Sequence, residues 1–492
     1  MNESAFGRTL GFKTVLSLVV GTIIGSGIFM RPAEMASLLG SPWLIMAAWI
    51  IGGFFTMLTT MILAEVSAML PEDGGSYAFM RHMYGDFWSY LYGWASFAVV
   101  NCAGGAGIAF IFAEYTQHFV HLPSFSETIE KSYHLTIPML GTIYPLKQFG
   151  VKMLTIIVIT ILSLISYRST KTVGKMQVVF AFSKVLAIVL LVSGIIFRQK
   201  AAVSGVFVSS GSIHPVGIAL VIAMVAAING SLQAFDGSIT MLNITGEIKD
   251  PGRNIPKSLF WGLCICITIY LMVNVAMMSV LTVDEMAGSA LVASDAAQRT
   301  FGSIGAGLVS FLICLSVLGT TNSNIMTPPR ITFAMARQGL FFQSAGKIHP
   351  RFNTPGNAML FHYVFMVLMV LSGSFYILTD MYIFVVWMFN LFFIVGLFIL
   401  RKKMPDMPRP YKVWGYPWMP IFVLLFNAFY LVVTVSDDVQ NFVNGKTDVM
   451  NSVSGVLLTA MGIPLYYYFK RQRKADRGEV AVADVKDFPG QS

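Results

Sequence analysis

One lysine lies deep inside an apolar stretch, where a charged side chain requires a physical reason. Lys184 follows Lys175 by nine residues. On a helix this places it about 13 Å further along the axis, near the middle of a hydrocarbon core about 30 Å thick. A lysine near a helix end would snorkel to the interface, but this one is too deep. Its ammonium must find carbonyls, a carboxylate or a water-lined cavity, or lose its proton. We expect either a fixed cation or a proton carrier.

A glycine-rich stretch interrupts the first apolar segment. The sequence "GTIIGSGIF", which begins at Gly21, puts Gly25, Ser26 and Gly27 near the middle of that segment. One interpretation is close helix packing, because Gly21 and Gly25 form a pair of small residues four apart. The other is that the helix unwinds, so that bare amides and the positive end of a half-helix hold a carboxylate. Both interpretations remain open at this point.

A second break is predicted near the middle of the sixth apolar segment, at Phe235-Asp236-Gly237-Ser238. Two glycine-interrupted segments five spans apart are typical of a transporter built from inverted repeats, with its binding site at the breaks. Asp236 has two possible roles. It could bind a substrate ammonium or select a cationic side chain, or it could cap the half-helix that follows.

The elements that must position these residues are membrane-spanning helices. The chain has 492 residues, of which 55% are hydrophobic and only 12% are charged, whereas soluble proteins carry about 25% charged residues. Repeated apolar runs of about 20 residues predict an all-α polytopic membrane protein. We expect about twelve spans, at residues 14–37, 42–69, 86–118, 151–168, 176–197, 215–245, 258–282, 303–335, 357–376, 380–400, 417–436 and 450–469. The first, sixth and eighth runs exceed the length of a straight span, which suggests breaks, tilts or extensions.

Charge sets the expected orientation and domain organisation. Most of the 33 Lys and Arg residues fall in segments on one side of the predicted membrane, so we expect both termini to be cytoplasmic and the membrane to be the plasma (inner) membrane. This bias also accounts for the net charge of +9 without nucleic acid. The predicted units are a cytoplasmic N-terminus (1–13), a transporter domain (14–472) and a disordered cytoplasmic tail (473–492). Within the transporter domain we predict repeats at about 14–200 and 215–402, with extra helices at about 417–469.

The remaining titratable residues point away from catalysis. All four cysteines lie in apolar segments, and we interpret them as packing residues of the core: Cys102, Cys264, Cys266 and Cys314. No nucleophile–base pair, metal cluster or phosphate loop stands out, and the glycine pattern at Gly21 follows no strand. We therefore predict neither an enzyme nor a cofactor or metal protein.

Two acidic residues lie near predicted cytoplasmic helix ends. Glu65 and Glu247 could pair with the basic residues of "KDPGR" (249–253) and so close an inward gate. Ordinary interfacial salt bridges, which contribute little when exposed, are an equally good interpretation.

Several motifs, taken in order, resemble one known family. They are "GTIIGSGIF" (21–29), "LAEVSAMLPEDGGSYAFM" (63–80), "GEIKDPGRNIPKS" (246–258), "LGTTNSNIMTPPRITFAMARQGL" (318–340) and "RKKMPDMPRPYKV" (401–413). The chain resembles the L-type amino acid transporter branch of the amino acid–polyamine–organocation (APC) superfamily from about Leu10 to Lys474. The resemblance implies a LeuT-like 5+5 inverted repeat with discontinuous helices 1 and 6. It also implies sodium-independent amino acid transport, often by exchange.

The resemblance assigns roles around the first break. Ser26 and Gly27, with Gly25 alongside, would offer amides to the substrate carboxylate, and Ile23 would offer a carbonyl to the α-amino group. Lys184 falls on the family's fifth-helix lysine, which takes the place of a sodium ion and bridges the first helix to the eighth.

The resemblance also shows departures, mostly around the second break. Backbone near Gln233 and Asp236 would contact the amino group, but Gln233 stands where the family usually has an aromatic gate. Phe235, two residues later, is a candidate replacement, and Ser238 stands where a tryptophan is common. Asn324 replaces a smaller hydroxyl residue beside the lysine. These changes affect the expected side-chain preference of the substrate.

The expected function is transport of small L-amino acids through the lipid bilayer by alternating access. Animal relatives use an external cysteine after the third helix to join a heavy subunit, and residues 119–150 have none, so no disulfide-linked partner is expected. The alternatives are a proton-coupled symporter of amino acids or amines and a sensor that binds amino acids without transport.

Overall fold

The computed structural model describes residues 10–25, 27–70, 75–138, 141–168, 170–197, 215–239, 248–352 and 354–473. Ser26, at the predicted first break, and Glu247 lie outside the described residues. So do all but four residues of the predicted N-terminal segment and all but one of the predicted C-terminal tail.

The first half of the chain is helical apart from one small hairpin. Its helices are α1 (Phe12–Ile23), α2 (Gly27–Leu39), α3 (Pro42–Met69), α4 (Gly75–Tyr84), α5 (Asp86–Ala95), α6 (Cys102–Thr116), α7 (Glu127–Ser132), α8 (Phe149–Arg168) and α9 (Thr170–Phe197). A π-helical segment, Ser96–Asn101, joins α5 to α6. Strands β1 (Leu135–Ile137) and β2 (Gly141–Ile143) pair antiparallel, with Thr136 opposite Thr142.

The second half is also helical. Its helices are α10 (Ile218–Phe235), α11 (Pro251–Met278), α12 (Val283–Ala287), α13 (Val292–Met326), α14 (Pro329–Arg337), α15 (Gly356–Ser372), α16 (Phe375–Lys403), α17 (Trp418–Val443) and α18 (Asn451–Ala460). A 3-10 turn of residues 236–239 follows α10 directly, and another 3-10 turn covers Gln343–Gly346.

The chain is a polytopic α-helical membrane protein, as predicted. Within the described residues, nine helices are long and apolar enough to cross a membrane. The pair Phe12–Ile23 and Gly27–Leu39 adds a tenth span that is bent by 46°. Two shorter apolar helices, Val179–Gly194 and Gly356–Ser372, lie where the fifth and ninth spans are expected. The count of twelve spans therefore stays a prediction.

The predicted eighth span (303–335) is extended and interrupted, as the length of its apolar run suggests. Helix α13 already begins at Val292 and has a kink at Gly302, whose φ of 72° is a backbone conformation that favours glycine. It ends at Met326, before Pro328 and Pro329, because prolines have no N–H to donate to the helix ladder.

The start of α1 is attached to the segment that follows the second break. Leu10 forms a parallel bridge with Ile248, and the Leu10 carbonyl accepts the Lys249 N–H at 2.9 Å. Further along, a Cβ on Gly262 of α11 would lie 2.5 Å from a Val19 methyl. This close approach keeps α1 against α11 and places its last turn beside the end of α10. We call the side of the membrane on which α1 begins the N-terminal side, and the other the far side.

Candidate functional site

A cavity of about 290 Å³ lies where the two broken helices meet. The predicted site residues among those that line it are Ile23, Gly25, Gly27, Gln233, Asp236, Lys184 and Asn324. The structure thus brings together residues that are far apart in the sequence. Ser26 lies outside the described residues, and Phe235 and Ser238 do not line this cavity.

The first break begins at Ile24, where the chain leaves the helix. Ile24 has an extended backbone (φ −66°, ψ 100°), and its N–H still bonds to the Val20 carbonyl. Its own carbonyl accepts a hydrogen bond at 3.1 Å from the ammonium of Lys184, whose side chain lines the cavity and is almost completely buried. The deep lysine therefore binds a carbonyl that helix unwinding leaves exposed.

Tyr270 of α11 links the two breaks, and the sequence analysis did not single it out. Its hydroxyl lies 2.9 Å from the Ile23 carbonyl oxygen and 3.1 Å from the Ala234 carbonyl oxygen. A hydroxyl has one proton to donate, so the two carbonyls share it. The family resemblance implies that the Ile23 carbonyl binds the substrate. In the structure this carbonyl already has a hydrogen-bond partner, the Tyr270 hydroxyl. A tyrosine in an apolar helix carries no sequence signal for this role.

The glycines at the breaks have different surroundings. A Cβ on Gly27 would lie 2.9 Å from Gln233 Oε1 and 3.0 Å from Ala234 Cα, and one on Gly237 would lie 2.1 Å from the Thr22 carbonyl oxygen. The two broken helices therefore touch through these glycines. Among the described residues, nothing would lie within 4 Å of a Cβ on Gly21, and only the neighbouring Ile23 carbonyl would lie near one on Gly25, at 3.7 Å. The interpretation of Gly21 and Gly25 as a helix-packing pair is wrong.

Asp236 begins the 3-10 turn after α10 and lines the cavity. Its backbone N–H bonds to the Gln233 carbonyl. Within the described residues, no donor forms a hydrogen bond or ion pair with its carboxylate. The half-helix that it was predicted to cap falls in residues 240–247, which lie outside the described residues. The carboxylate therefore faces the cavity without a described partner.

Phe235 and Ser238 lie behind the second break. The fully buried Phe235 ring packs against Tyr270 and Trp49, with ring centroids 4.9 Å and 6.0 Å away. Ser238 is also fully buried and lines a separate void of about 10 Å³. Phe235 does not take the place of an aromatic gate above the cavity in this conformation, because its ring fills the aromatic cluster instead.

The neighbourhood of Lys184 is polar. Asn324 lines the cavity, but its side-chain amide donates to the Thr320 carbonyl of its own helix at 3.0 Å. The bridge from Lys184 to the first helix is present through Ile24; between Lys184 and Asn324 the described structure has no hydrogen bond. Gln177 lies about two turns before Lys184 on α9. Its side chain accepts a hydrogen bond from Asn322 at 3.3 Å and donates one to Ser323 at 2.9 Å.

A buried arginine lies on the far side of the cavity, and the sequence analysis counted it only as an external charge. Arg31 of α2 is 0% exposed, and its Nε donates to Gln233 Oε1 at 3.3 Å. Its Nη atoms donate to Glu34 at 2.5 Å, to Asp380 at 2.9 Å and to Thr379 at 2.8 Å. The signal that could have found it is its position within the predicted first span, the same signal that singled out Lys184.

This arginine joins four helices through its partners. Asp380 of α16 also accepts from Asn229 of α10 at 2.9 Å, and Asn229 in turn accepts from Tyr430 of α17 at 2.6 Å. We call Arg31, Glu34, Asp380, Asn229 and Tyr430 the arginine cluster. Because Gln233 belongs to the cavity wall, the cluster closes the cavity toward the far side.

An ion pair on the N-terminal side differs from the expected one. The fully buried Glu65 accepts two hydrogen bonds from Arg401, at 2.9 Å and 2.7 Å, and one from the Val413 N–H at 2.8 Å. Arg409 adds a contact at 3.9 Å. Glu65 thus pairs with Arg401 in the last turn of α16 and with the loop that follows, and not with the "KDPGR" segment, because α3 packs against α16 at this end.

The cavity extends from the breaks toward the N-terminal side. Its other walls come from the N-terminal-side halves of α5, α13 and α16, for example Tyr92, Thr327 and Phe393. At the end of α1, Gly21 and Thr22 line the cavity and are exposed. The arginine cluster thus borders the cavity on the far side, and the exposed end of α1 borders it on the N-terminal side.

A family model described as amino acid permease matches residues 10–461. The chain belongs to the amino acid permease family. The resemblance to the L-type branch of the APC superfamily is thereby confirmed. This permease shares 28% of residues with the serine/threonine exchanger SteT of Bacillus subtilis (strain 168), over 96% of its own length and 99% of the exchanger.

Human transporters are also similar to this permease over most of its length. The large neutral amino acids transporter small subunit 2 is 28% identical, over 94% of this chain and 80% of the transporter. The cystine/glutamate transporter is 24% identical, over 92% of this chain and 83% of the transporter. These relatives are amino acid transporters, which agrees with the transport function predicted from the sequence.

Proposed function

We propose that this permease moves small L-amino acids across the plasma membrane by alternating access, independently of sodium and by exchange. The observation that carries the proposal is the hydrogen bond from Lys184 to the Ile24 carbonyl at the break. An ammonium fixed there satisfies a carbonyl that would otherwise attract a cation, so no sodium ion is needed to hold the break. The name of the Bacillus subtilis relative, an exchanger of serine and threonine, supports exchange and small substrates.

The substrate's carboxylate binds the amides at Gly25, Ser26 and Gly27, at the start of α2, where the helix dipole favours an anion. Its ammonium binds the Ile23 carbonyl, whose oxygen has a second lone pair besides the one that Tyr270 occupies. Asp236 provides the opposite charge on the facing wall. In this proposal Phe235 and Ser238 shape the second break from behind and do not touch the substrate.

The orientation follows from the distribution of Lys and Arg. Both termini are cytoplasmic, so the N-terminal side is the cytoplasm and the far side is external. The twelve helices form repeats at about 14–200 and 215–402, with two extra helices after them. The cavity described above is then the inward-facing state, and the arginine cluster is its external closure.

The permease works without a disulfide-linked heavy subunit. Residues 119–150 contain no cysteine in the sequence, and Cys102, Cys264, Cys266 and Cys314 are all free thiols on helices. A covalent link of the kind that its animal relatives use has no attachment point in that loop.

Proton-coupled symport is the second candidate, because Asp236 faces the cavity without a described partner. A carboxylate that exchanges protons with a cavity open to one side at a time could carry one proton for each substrate. Replacement by asparagine (Asp236→Asn) would then abolish the dependence of uptake on the proton gradient. In an exchanger it would weaken substrate binding instead, and counterflow would stay independent of the gradient.

Uptake into proteoliposomes tests the proposal. Labelled L-serine and L-threonine are offered in sodium-free buffer to vesicles that are empty or preloaded with the unlabelled amino acid, each with and without an inward proton gradient. Uptake that needs preloading supports exchange. Uptake into empty vesicles that needs the gradient establishes symport instead. Binding to the purified protein without uptake under any condition would support a sensor and overturn the transport proposal.

A further inference from the structure

A second cavity lies on the far side of the membrane, outside the arginine cluster. It has a volume of about 200 Å³ and lies between the first turn of α2, the end of α6, the β2–α8 segment and the start of α16. Its volume is below the roughly 300–1,000 Å³ of pockets for drug-sized ligands, and it therefore suits a small molecule. We call it the outer pocket.

The outer pocket contains an acidic group without a cationic partner. Glu114 of α6 lines it, and its carboxylate accepts a hydrogen bond from the Gln117 side chain at 2.8 Å. Among the described residues, no Lys, Arg or His lies within 4.0 Å of this carboxylate. A carboxylate so close to the apolar part of the membrane requires a partner, since an unpaired charge there is costly.

Two basic groups line the same pocket. Lys152 is almost completely buried and donates to the carbonyls of Tyr144 at 2.8 Å and Leu371 at 3.2 Å. In the described part of the chain it has no carboxylate within 4.0 Å. Lys147 makes one contact of 3.4 Å with Asp448 and is otherwise exposed, so it has further protons to donate. A third contact of Lys152, with the Pro145 carbonyl at 3.4 Å, takes up its last proton, so only Lys147 has donors available. Asp448 also lines the pocket, and two lysines against this one carboxylate leave this end with net positive charge.

These charges match a zwitterion. We propose that the outer pocket binds a free amino acid, with its ammonium at Glu114 and its carboxylate at Lys147 in the field of Lys152. The inference rests on the proposed function, and it adds a first binding site for the external substrate.

The location connects this site to the central cavity. Tyr376 lines the outer pocket, and its ring centroid lies 5.5 Å from the Arg31 guanidinium. Arg31 in turn donates to Gln233, which lines the central cavity. Tyr376 and the arginine cluster therefore lie between an amino acid in the outer pocket and the central cavity.

Binding stoichiometry tests the inference. Purified permease in nanodiscs is titrated with labelled L-serine, and we expect two molecules per chain. Glu114→Gln should reduce this to one and leave the remaining affinity unchanged. Glu127→Gln, an exposed residue of α7 that pairs with Lys131, is the matched control and should keep two. Thr142→Trp fills the pocket without removing a charge and should give the same loss as Glu114→Gln.

Transport from each side separates this role from a structural one. Glu114→Gln should raise the half-saturating external L-serine concentration by about tenfold, which corresponds to a loss of about 1.4 kcal/mol in binding free energy. The half-saturating internal concentration should stay unchanged. One bound molecule in the wild type, or two in both Glu114→Gln and Thr142→Trp, would overturn the outer site and leave the central site standing. No binding and no uptake by the wild type would overturn the proposed function itself.

Discussion

At the scale of single residues, the site depends on side chains that satisfy unwound backbone. Lys184 and Tyr270 bind the carbonyls of Ile24 and Ile23, which the helix no longer pairs. A buried carbonyl without a donor costs free energy, so each of these side chains stabilises the break as well as shaping the cavity. The two differ in what their loss would change.

Removing the ammonium should abolish transport. Lys184→Gln leaves a side chain of similar reach but without the charge, so exchange of L-serine should fall by at least about tenfold, since a hydrogen bond to a charged group contributes about 1.5–3 kcal/mol. Counterflow in proteoliposomes measures the effect. Lys131 is an exposed lysine of α7, and Lys131→Gln should exchange at the wild-type rate. Full activity of Lys184→Gln without sodium would contradict the assignment.

Removing the tyrosine hydroxyl should loosen both breaks. Tyr270→Phe leaves the carbonyls of Ile23 and Ala234 short of a donor and should lower the free energy of unfolding by about 1–3 kcal/mol. Tyr90 is the matched control, because it is equally buried and its hydroxyl has no partner among the described residues. Tyr90→Phe should be neutral or stabilising. The measurement is thermal unfolding of the wild type, Tyr270→Phe and Tyr90→Phe in the same detergent. Equal losses of stability in the two variants would contradict the role of Tyr270.

At the scale of elements, the two broken helices are held against each other by glycines. Gly237 leaves room for the last turn of α1, and Gly27 leaves room for the end of α10. These contacts cross between segments about two hundred residues apart, so no local propensity specifies them. They explain why glycine, a poor helix former, stands at both breaks.

A methyl group should therefore be tolerated at one glycine and not at another. Gly237→Ala places a Cβ 2.1 Å from the Thr22 carbonyl oxygen, and overpacking of this kind costs about 1–3 kcal/mol. In the part of the chain that the structure describes, the Cβ of Gly21→Ala meets nothing within 4 Å, so this variant should keep both stability and exchange. Melting temperature and counterflow are compared for the two variants. A harmless Gly237→Ala, or a harmful Gly21→Ala, would show that the breaks do not meet in this way.

At the scale of the whole molecule, two charge clusters hold opposite ends of the transport path. The arginine cluster ties α2, α10, α16 and α17 together on the far side, and Glu65 ties α3 to the last turn of α16 on the N-terminal side. Only the first lies across the cavity. Alternating access would therefore require the arginine cluster to open, while the Glu65 pair could persist in both states.

Weakening the arginine cluster should expose the central cavity to the external side. Asp380→Asn removes a charge that pairs with the buried Arg31, and such a loss is strongly destabilising to the closed arrangement. The measurement is labelling of Asn101→Cys, a cavity position, by an impermeant thiol reagent after the four native cysteines are replaced. We expect Asn101→Cys to be labelled about tenfold faster in the Asp380→Asn background, which corresponds to a change of about 1.4 kcal/mol in the free energy of opening.

The control for this experiment is Asp284→Asn, an exposed acid of the short helix α12, which should not change the labelling rate. If Asp380→Asn also leaves the rate unchanged, the arginine cluster is not the external closure, and another contact must seal that side.

The sequence by itself determined the class of molecule, the first break and the buried lysine, and it predicted a second break whose following half-helix lies outside the described residues. Apolar length, glycines in midspan and a charge far from any helix end are local properties, and the bilayer makes each of them costly enough to be informative. Only the tertiary structure decided which partners these residues have. Tyr270 shares its proton between two breaks, Arg31 meets Asp380, and Phe235 turns away from the cavity. Such choices depend on the directions of side chains from helices distant in sequence, and no pattern within a single segment encodes them.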